Sequence, residues 1–177
     1  QLAGISAKDV KALRDQTGAG MMDCKKALTD AEGDAEQAVD LLRERGLSKA
    51  GKRAGRETSE GAIAVSIEGG DGVIVELGCE TDFVSRNDQF QQLVQQIADS
   101  IRMAGGATSA EQALALKMDG ESIDEHVKAA VSRIGENIQL KRVGSIHVAG
   151  VVGGYVHGGG SLGVLVGVTT SSPAEAQ

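Results

Sequence analysis

The chain has 177 residues, 41 % of them apolar and 24 % charged, which allows one ordinary domain with a small companion and excludes wholesale disorder or a large multidomain enzyme. Lysine and arginine number 18 against 25 for aspartate and glutamate, a net charge of −7, and the only aromatic residues are Phe83, Phe90 and Tyr155. Three rings are too few for a base-stacking platform and the overall charge lacks attraction for phosphate, so naked DNA or RNA is not the expected partner.

Residues 1–46 read as three short helices. Ser6 is the expected N-cap of the first, with Val10 and Leu13 on its apolar face, and Thr17-Gly18-Ala19-Gly20 ends it. Met22, Lys25, Lys26 and Leu28 lie on the second, which runs out at Asp30 to Gly33. Asp34 caps the third, where Ala35, Ala38, Val39, Leu41 and Leu42 recur at helical spacing and Gly46 is expected to close the end. Met21 and Met22 are adjacent, and neighbours on a helix do not share a face, so one is expected inside and one exposed.

Residues 47–60 lose the apolar period and turn basic, with Lys49, Lys52, Arg53 and Arg56, and read as a linker or a solvated helix. Residues 1–60 carry eleven charges of each sign, so the whole net charge belongs to residues 61–177.

Residues 61–149 read as two strands, helices and a returning strand. Gly61 to Ile67 and Val73 to Gly78 are β-rich runs joined by a hairpin-like Glu68-Gly69-Gly70-Asp71-Gly72. Asn87 or Asp88 caps a helix with Phe90, Leu93, Val94, Ile97 and Ile101 on one face, ended by Gly105-Gly106. A second helical pattern carries Ile123, Val127, Val131 and Ile134 up to Gly135, and Asn137 to Val148 reads as a strand.

From residue 150 the hairpin begins again. Gly150 to Gly159 lies against Gly61 to Gly70, and Gly163-Val164-Leu165-Val166 against Gly72-Val73-Ile74-Val75, with one extra glycine in the second turn to restore the register. An internal duplication explains why nine glycines crowd between Gly144 and Gly167, and it accounts for the Gly-rich run at 153–160 better than a phosphate cradle does. Ser172-Pro173-Ala174-Glu175 announces a helix, but the sequence given stops two residues later. A hairpin without its covering helix leaves one apolar face bare. Either the sequence is part of a longer chain, or the hairpin docks on the first sheet or on another chain.

No motif for hydrolase, nucleotide-binding or metalloenzyme chemistry is present, and Cys24 and Cys79 lack the spacing of a zinc module or disulfide framework. A reducing compartment fits. No apolar run reaches membrane-spanning length, and the start lacks the pattern of a secretory signal. Cys79 reads as a small apolar filler, His126 as solvated and His147 as a satisfied structural histidine. Asp82 reads as a helix cap, and Phe83 either seals the core or protrudes.

Thr17-Gly18-Ala19-Gly20-Met21-Met22-Asp23-Cys24-Lys25-Lys26-Ala27-Leu28, then Gly78-Cys79-Glu80-Thr81-Asp82-Phe83-Val84 and Ile134-Gly135-Glu136-Asn137-Ile138, resemble the translation elongation factor Ts family, in the family's order from about residue 5 to 170. The resemblance implies an α+β protein: a three-helix ubiquitin-associated-like domain at 1–46, a basic linker at 47–60, a first core subdomain with an antiparallel sheet at 61–149, and an incomplete second one at 150–177. It implies a cytoplasmic guanine nucleotide exchange factor rather than an enzyme, without a cofactor or metal of its own. The implied partner is elongation factor Tu, GDP-bound or nucleotide-free, with no direct nucleic acid or membrane contact and self-association left open. Matched by motif, Thr81, Asp82, Phe83 and Val84 would reach the partner's magnesium site, Ile134 with Gly135 and His157 with Gly158 would make further exchange contacts, and Met21, Met22 and Lys25 would hold a helix of its nucleotide domain. A competing expectation is a docking adaptor that binds through the N-terminal helices without efficient exchange. Gly159-Gly160-Ser161 departs from the family, whose members often carry a basic residue in that turn.

Overall fold

The computed structural model describes residues 5–169. Along the chain run α1 (Ala7–Thr17), α2 (Met21–Asp30), α3 (Ala35–Arg53), β1 (Glu60–Glu68), β2 (Asp71–Cys79), α4 (Asp82–Ser85), α5 (Asp88–Met103), α6 (Ala110–Ala115), β3 (Lys117–Met118), β4 (Glu121–Ser122), α7 (Ile123–Ile134), β5 (Gln139–His147), β6 (Gly150–His157) and β7 (Leu162–Thr169). Helices and antiparallel sheets together make the fold α+β. The chain divides into two compact units, one of residues up to 55 with 128–136 and one of the remainder.

In the first unit, Val10 and Leu13 of α1, Cys24, Ala27 and Leu28 of α2, and Ala38 of α3 are buried together with Ala31. Most of these side chains are small, so little apolar area is buried per residue, as expected near the lower size limit for a fold. The local ends are well specified. Ser6 and Asp9 form a reciprocal capping box on α1, Gly18 ends it in a left-handed conformation (φ 67°), and the Asp34 side chain caps α3. Gly46 does not end α3, which continues to Arg53. Gly46 and Ala50 are buried one turn apart, and Ser132 of α7 lies where a Cβ on Gly46 would touch it at 3.4 Å. Glycine here permits close helix packing, which outweighs its roughly 1 kcal/mol helix penalty.

The second unit is built on the antiparallel sheet β1-β2-β5 with β2 in the centre. Alternate residues of β1 and β2 pair across one face: Ala62 with Leu77, Ala64 with Val75, Ser66 with Val73. All are buried, and α5 lies over the sheet with Phe90, Leu93, Val94, Ile97 and Ile101 inward at the spacing expected of an amphipathic helix. The one polar group in that face is satisfied: Ser66 Oγ donates to Asp99 at 2.6 Å and accepts from Arg102 Nε at 2.9 Å. Helix α6, capped by Ser109, and the small β3-β4 hairpin precede α7, and no sequence period had marked them.

Strands β6 and β7 pair as the second copy of the hairpin. Its turn, Gly158 to Ser161, is two residues longer than Gly69-Gly70, more than a single added glycine. The duplicate docks on the other face of the first sheet. A Cβ on Gly163 would stand 2.5 Å from Ile63 Cγ2 and 2.9 Å from Ile74 Cδ1, so the absence of a side chain sets the approach of the two layers. The opposite face of the duplicate carries exposed Tyr155, Leu162, Val164, Val166 and Val168. The helix expected at Ser172 lies outside the described residues.

Candidate functional site

In the second unit the chain leaves the sheet at Cys79, whose buried thiol donates to the Thr81 carbonyl at 3.3 Å. Thr81, rather than Asp82, is the N-cap of α4: its side chain accepts from Val84 N–H at 3.4 Å. Asp82 is the first helical residue, where a carboxylate suits the helix dipole. The single turn is closed below by buried Ser85, whose hydroxyl donates to the Asp82 carbonyl at 2.9 Å. With Thr81 and Ser85 turned toward the protein, Phe83 faces outward and is 84 % exposed, against 0 % for Phe90. Most of the apolar surface of the Phe83 ring is therefore open to solvent. Asp82 lies 3.5 Å from Arg86, both in contact with solvent.

His157 ends β6 and is exposed. Its Nδ1 lies 2.9 Å from the Tyr155 hydroxyl, and the two ring centroids are 5.9 Å apart. Tyr155 and His157 stand two apart on β6, and residues at that spacing share a face of the strand. Beyond His157 the backbone turns through Gly158, Gly159 and Gly160 at φ 59°, 67° and 104°, a left-handed run that side chains oppose. Ile63 N–H donates to the Gly160 carbonyl at 2.8 Å and holds the turn on β1. Gln91, missed in the sequence, joins the two elements: its Nε2 donates to the Ser85 carbonyl at 2.5 Å and to the Gly159 carbonyl at 3.3 Å.

In the first unit Met21 and Met22 are both exposed, at 47 % and 74 %, contrary to the expectation that one would turn inward. They form the first turn of α2, ahead of Cys24, where its buried stripe of Cys24, Ala27 and Leu28 begins. Lys25 is exposed beside them, while Asp23 is held by Lys49 at 2.8 Å. Ile134 and Gly135, which the resemblance assigns to the exchange contacts, belong to this first unit. Ile134 is half-buried, and Gly135 closes α7 with φ 90° and an N–H bond to the Val131 carbonyl.

The remaining two histidines each have a hydrogen-bond partner. His126 Nε2 lies 2.7 Å from the Met118 carbonyl, so it is anchored rather than merely solvated, and exposed His147 pairs with Asp71 at 2.7 Å. Among the described residues no group of three or more His, Cys, Asp or Glu is arranged to hold a metal ion, and no helix is long and apolar enough to cross a membrane.

A family profile described as Elongation factor TS matches residues 80–177. Elongation factor Ts of Prosthecochloris aestuarii is 46 % identical over 98 % of this chain and 62 % of that protein. Those of Brucella anthropi and Brucella ovis are each 49 % identical over 97 % of this chain and 58 % of theirs. The chain therefore spans about three-fifths of the length of the relatives it matches.

Proposed function

The chain belongs to the elongation factor Ts family, and from that premise we propose that it binds elongation factor Tu and speeds release of guanosine diphosphate, letting the triphosphate enter during the elongation stage of protein synthesis. The observation that carries this reading is the 84 % exposed Phe83 on a turn capped at both ends. Phe83 acts as an apolar wedge beside the partner's magnesium and phosphate site. Asp82 disturbs the polar network around that ion, and Thr81 and Val84 flank the pair. His157 and Gly158 form a second contact and Ile134 and Gly135 a third, while the ubiquitin-associated-like helices grip the partner's nucleotide domain through Met21, Met22 and Lys25. The chain itself carries no catalytic group in this scheme and works in the cytoplasm by protein contact alone.

An exchange factor weakens nucleotide binding by the same factor that nucleotide weakens its own binding. A release about a thousandfold faster requires roughly 4 kcal/mol of relative stabilisation of the transition state. Burying one phenyl ring supplies about 2 to 3 kcal/mol. The wedge alone is too small, so the other contacts must share in the effect.

Stopped-flow release of a fluorescent GDP analogue from elongation factor Tu tests the proposal: the chain accelerates release, and Phe83→Ala and Asp82→Ala lose most of that acceleration. Variants that release at the parent's rate would refute the assigned roles. Because the chain spans only 58–62 % of its relatives, a second reading is a docking adaptor that binds elongation factor Tu through its N-terminal helices without efficient exchange. Co-purification with the partner at an unchanged release rate would select it.

A further inference from the structure

We infer that Gln91 is a positioning residue that sets the spacing between the Phe83 turn and the His157 turn. The inference rests on the exchange reading and adds to it a residue that touches neither partner nor nucleotide. A side-chain amide nitrogen has two protons to give. Gln91 gives them to two different elements: the Ser85 carbonyl at the end of α4, at 2.5 Å, and the Gly159 carbonyl in the β6-β7 turn, at 3.3 Å. Ser85 stands two residues after Phe83, and Gly159 two after His157.

The bracket is anchored from behind. Gln91 follows Phe90, which is fully buried under the sheet, so the stretch of α5 that carries the side chain is held by the core. The Ser85 carbonyl is the last of α4, beyond the reach of that helix's own N–H groups, and the Gly159 carbonyl sits in a left-handed turn. Removing the amide leaves the caps of α4 and the bond from Ile63 to Gly160 in place. Each turn therefore keeps its own anchor on the protein, while the side-chain bridge that joins the two turns to each other is lost. Two contacts that act on one partner together depend on that spacing, since displacements on the order of 1 Å at a reacting centre cost up to about a hundredfold.

The test uses the whole chain with Gln91→Met, which keeps the side chain's length and removes the donors, and Gln91→Glu, which faces two carbonyls with oxygen in place of the donor nitrogen. Nitroxides on Phe83→Cys and His157→Cys report the spacing by electron paramagnetic resonance, with native Cys24 and Cys79 buried. Stopped-flow GDP release, read as maximal rate and half-saturating concentration, reports function. The expected result is a broadened distance distribution and a maximal rate about tenfold lower in both variants, the equivalent of roughly 1.4 kcal/mol, with the melting temperature held. An unchanged distribution overturns the inference whatever happens to the rate, and so does a broadened one with the parent's maximal rate. If Phe83→Ala alone releases at the parent's rate, the exchange reading fails and the functional half of the inference falls with it. If Phe83→Ala is slow and the Gln91 variants are not, only the inference fails.

Discussion

The carboxylate of Asp82 faces the guanidinium of Arg86 one helical turn further on, 3.5 Å away, with their side chains 46 % and 80 % exposed. Such a pair contributes little to the fold, within about 1 kcal/mol, and it is screened by salt. In the proposed complex, however, Asp82 must leave Arg86 to reach the partner's polar network. Arg86→Ala is expected to leave the melting temperature unchanged and to give GDP release at least as fast as the parent's, most visibly at low salt. A drop to the level of Asp82→Ala, measured by stopped flow, would mean that Arg86 itself meets the partner.

The two phenylalanines separate function from stability. Phe90 is fully buried between α5 and the sheet, so Phe90→Ala is expected to cost about 3 to 5 kcal/mol by urea unfolding. Phe83 is 84 % exposed, and Phe83→Ala is expected to shift stability by no more than about 0.5 kcal/mol while slowing release. An equal loss of stability in both variants would contradict the outward orientation of Phe83.

The capping box of α1 gives a pH dependence with a definite sign. The Ser6 hydroxyl and N–H both donate to Asp9 Oδ2, at 2.7 Å and 3.0 Å, and these bonds hold the Asp9 pKa below the ordinary aspartate value, with Lys8 adding a smaller effect. A lowered folded-state pKa stabilises the protein fully above the unfolded-state pKa, and that contribution disappears as the pH falls through the folded value. The stability gap between the parent and Asp9→Asn, read by urea titration, is therefore expected to be constant near neutrality and to shrink in strong acid. A gap that stays constant on acidification would contradict the bonds at Ser6.

Much of the fold was legible because the period of apolar residues reports which side of an element is buried. Phe90, Leu93, Val94, Ile97 and Ile101 marked α5, and the paired glycine-rich hairpins marked both strand pairs. The misjudged elements share a physical cause. Gly46 looked like a helix end because glycine is usually a stop, yet α3 uses it for close packing against Ser132. Met21 and Met22 looked half-core because pattern alone does not reveal where the packing over a helix begins. Of the candidate site, the Thr81-Asp82-Phe83 motif could be named from sequence, but composition left the direction of Phe83 open. That direction is settled by the Thr81 cap and the Ser85 bond, and the Gln91 strut by contacts across 68 residues of chain, which no local pattern encodes.

Docking of the duplicated hairpin gives a last prediction. Gly163 lies where a Cβ would approach Ile63 Cγ2 to 2.5 Å and Ile74 Cδ1 to 2.9 Å, and both neighbours belong to the sheet that α5 pins from its other side. The sheet cannot easily retreat, so Gly163→Val must push the hairpin outward or strain the two isoleucines, at about 1 to 3 kcal/mol. Because β6 and β7 pair with each other and not with β1, β2 or β5, the hairpin can lift while its own ladder survives. Hydrogen exchange is therefore expected to accelerate at Ile63, whose N–H is covered by the Gly160 carbonyl, and at Val152, bonded to the Gly69 carbonyl at 2.9 Å. The amides shared between β1 and β2 should keep their protection. The same lift would move His157 away from the Phe83 turn, so Gly163→Val is also expected to slow GDP release. Parent-like exchange at Ile63 and Val152 would show that the layers accommodate the added methyl groups and that the glycine is not what sets their spacing.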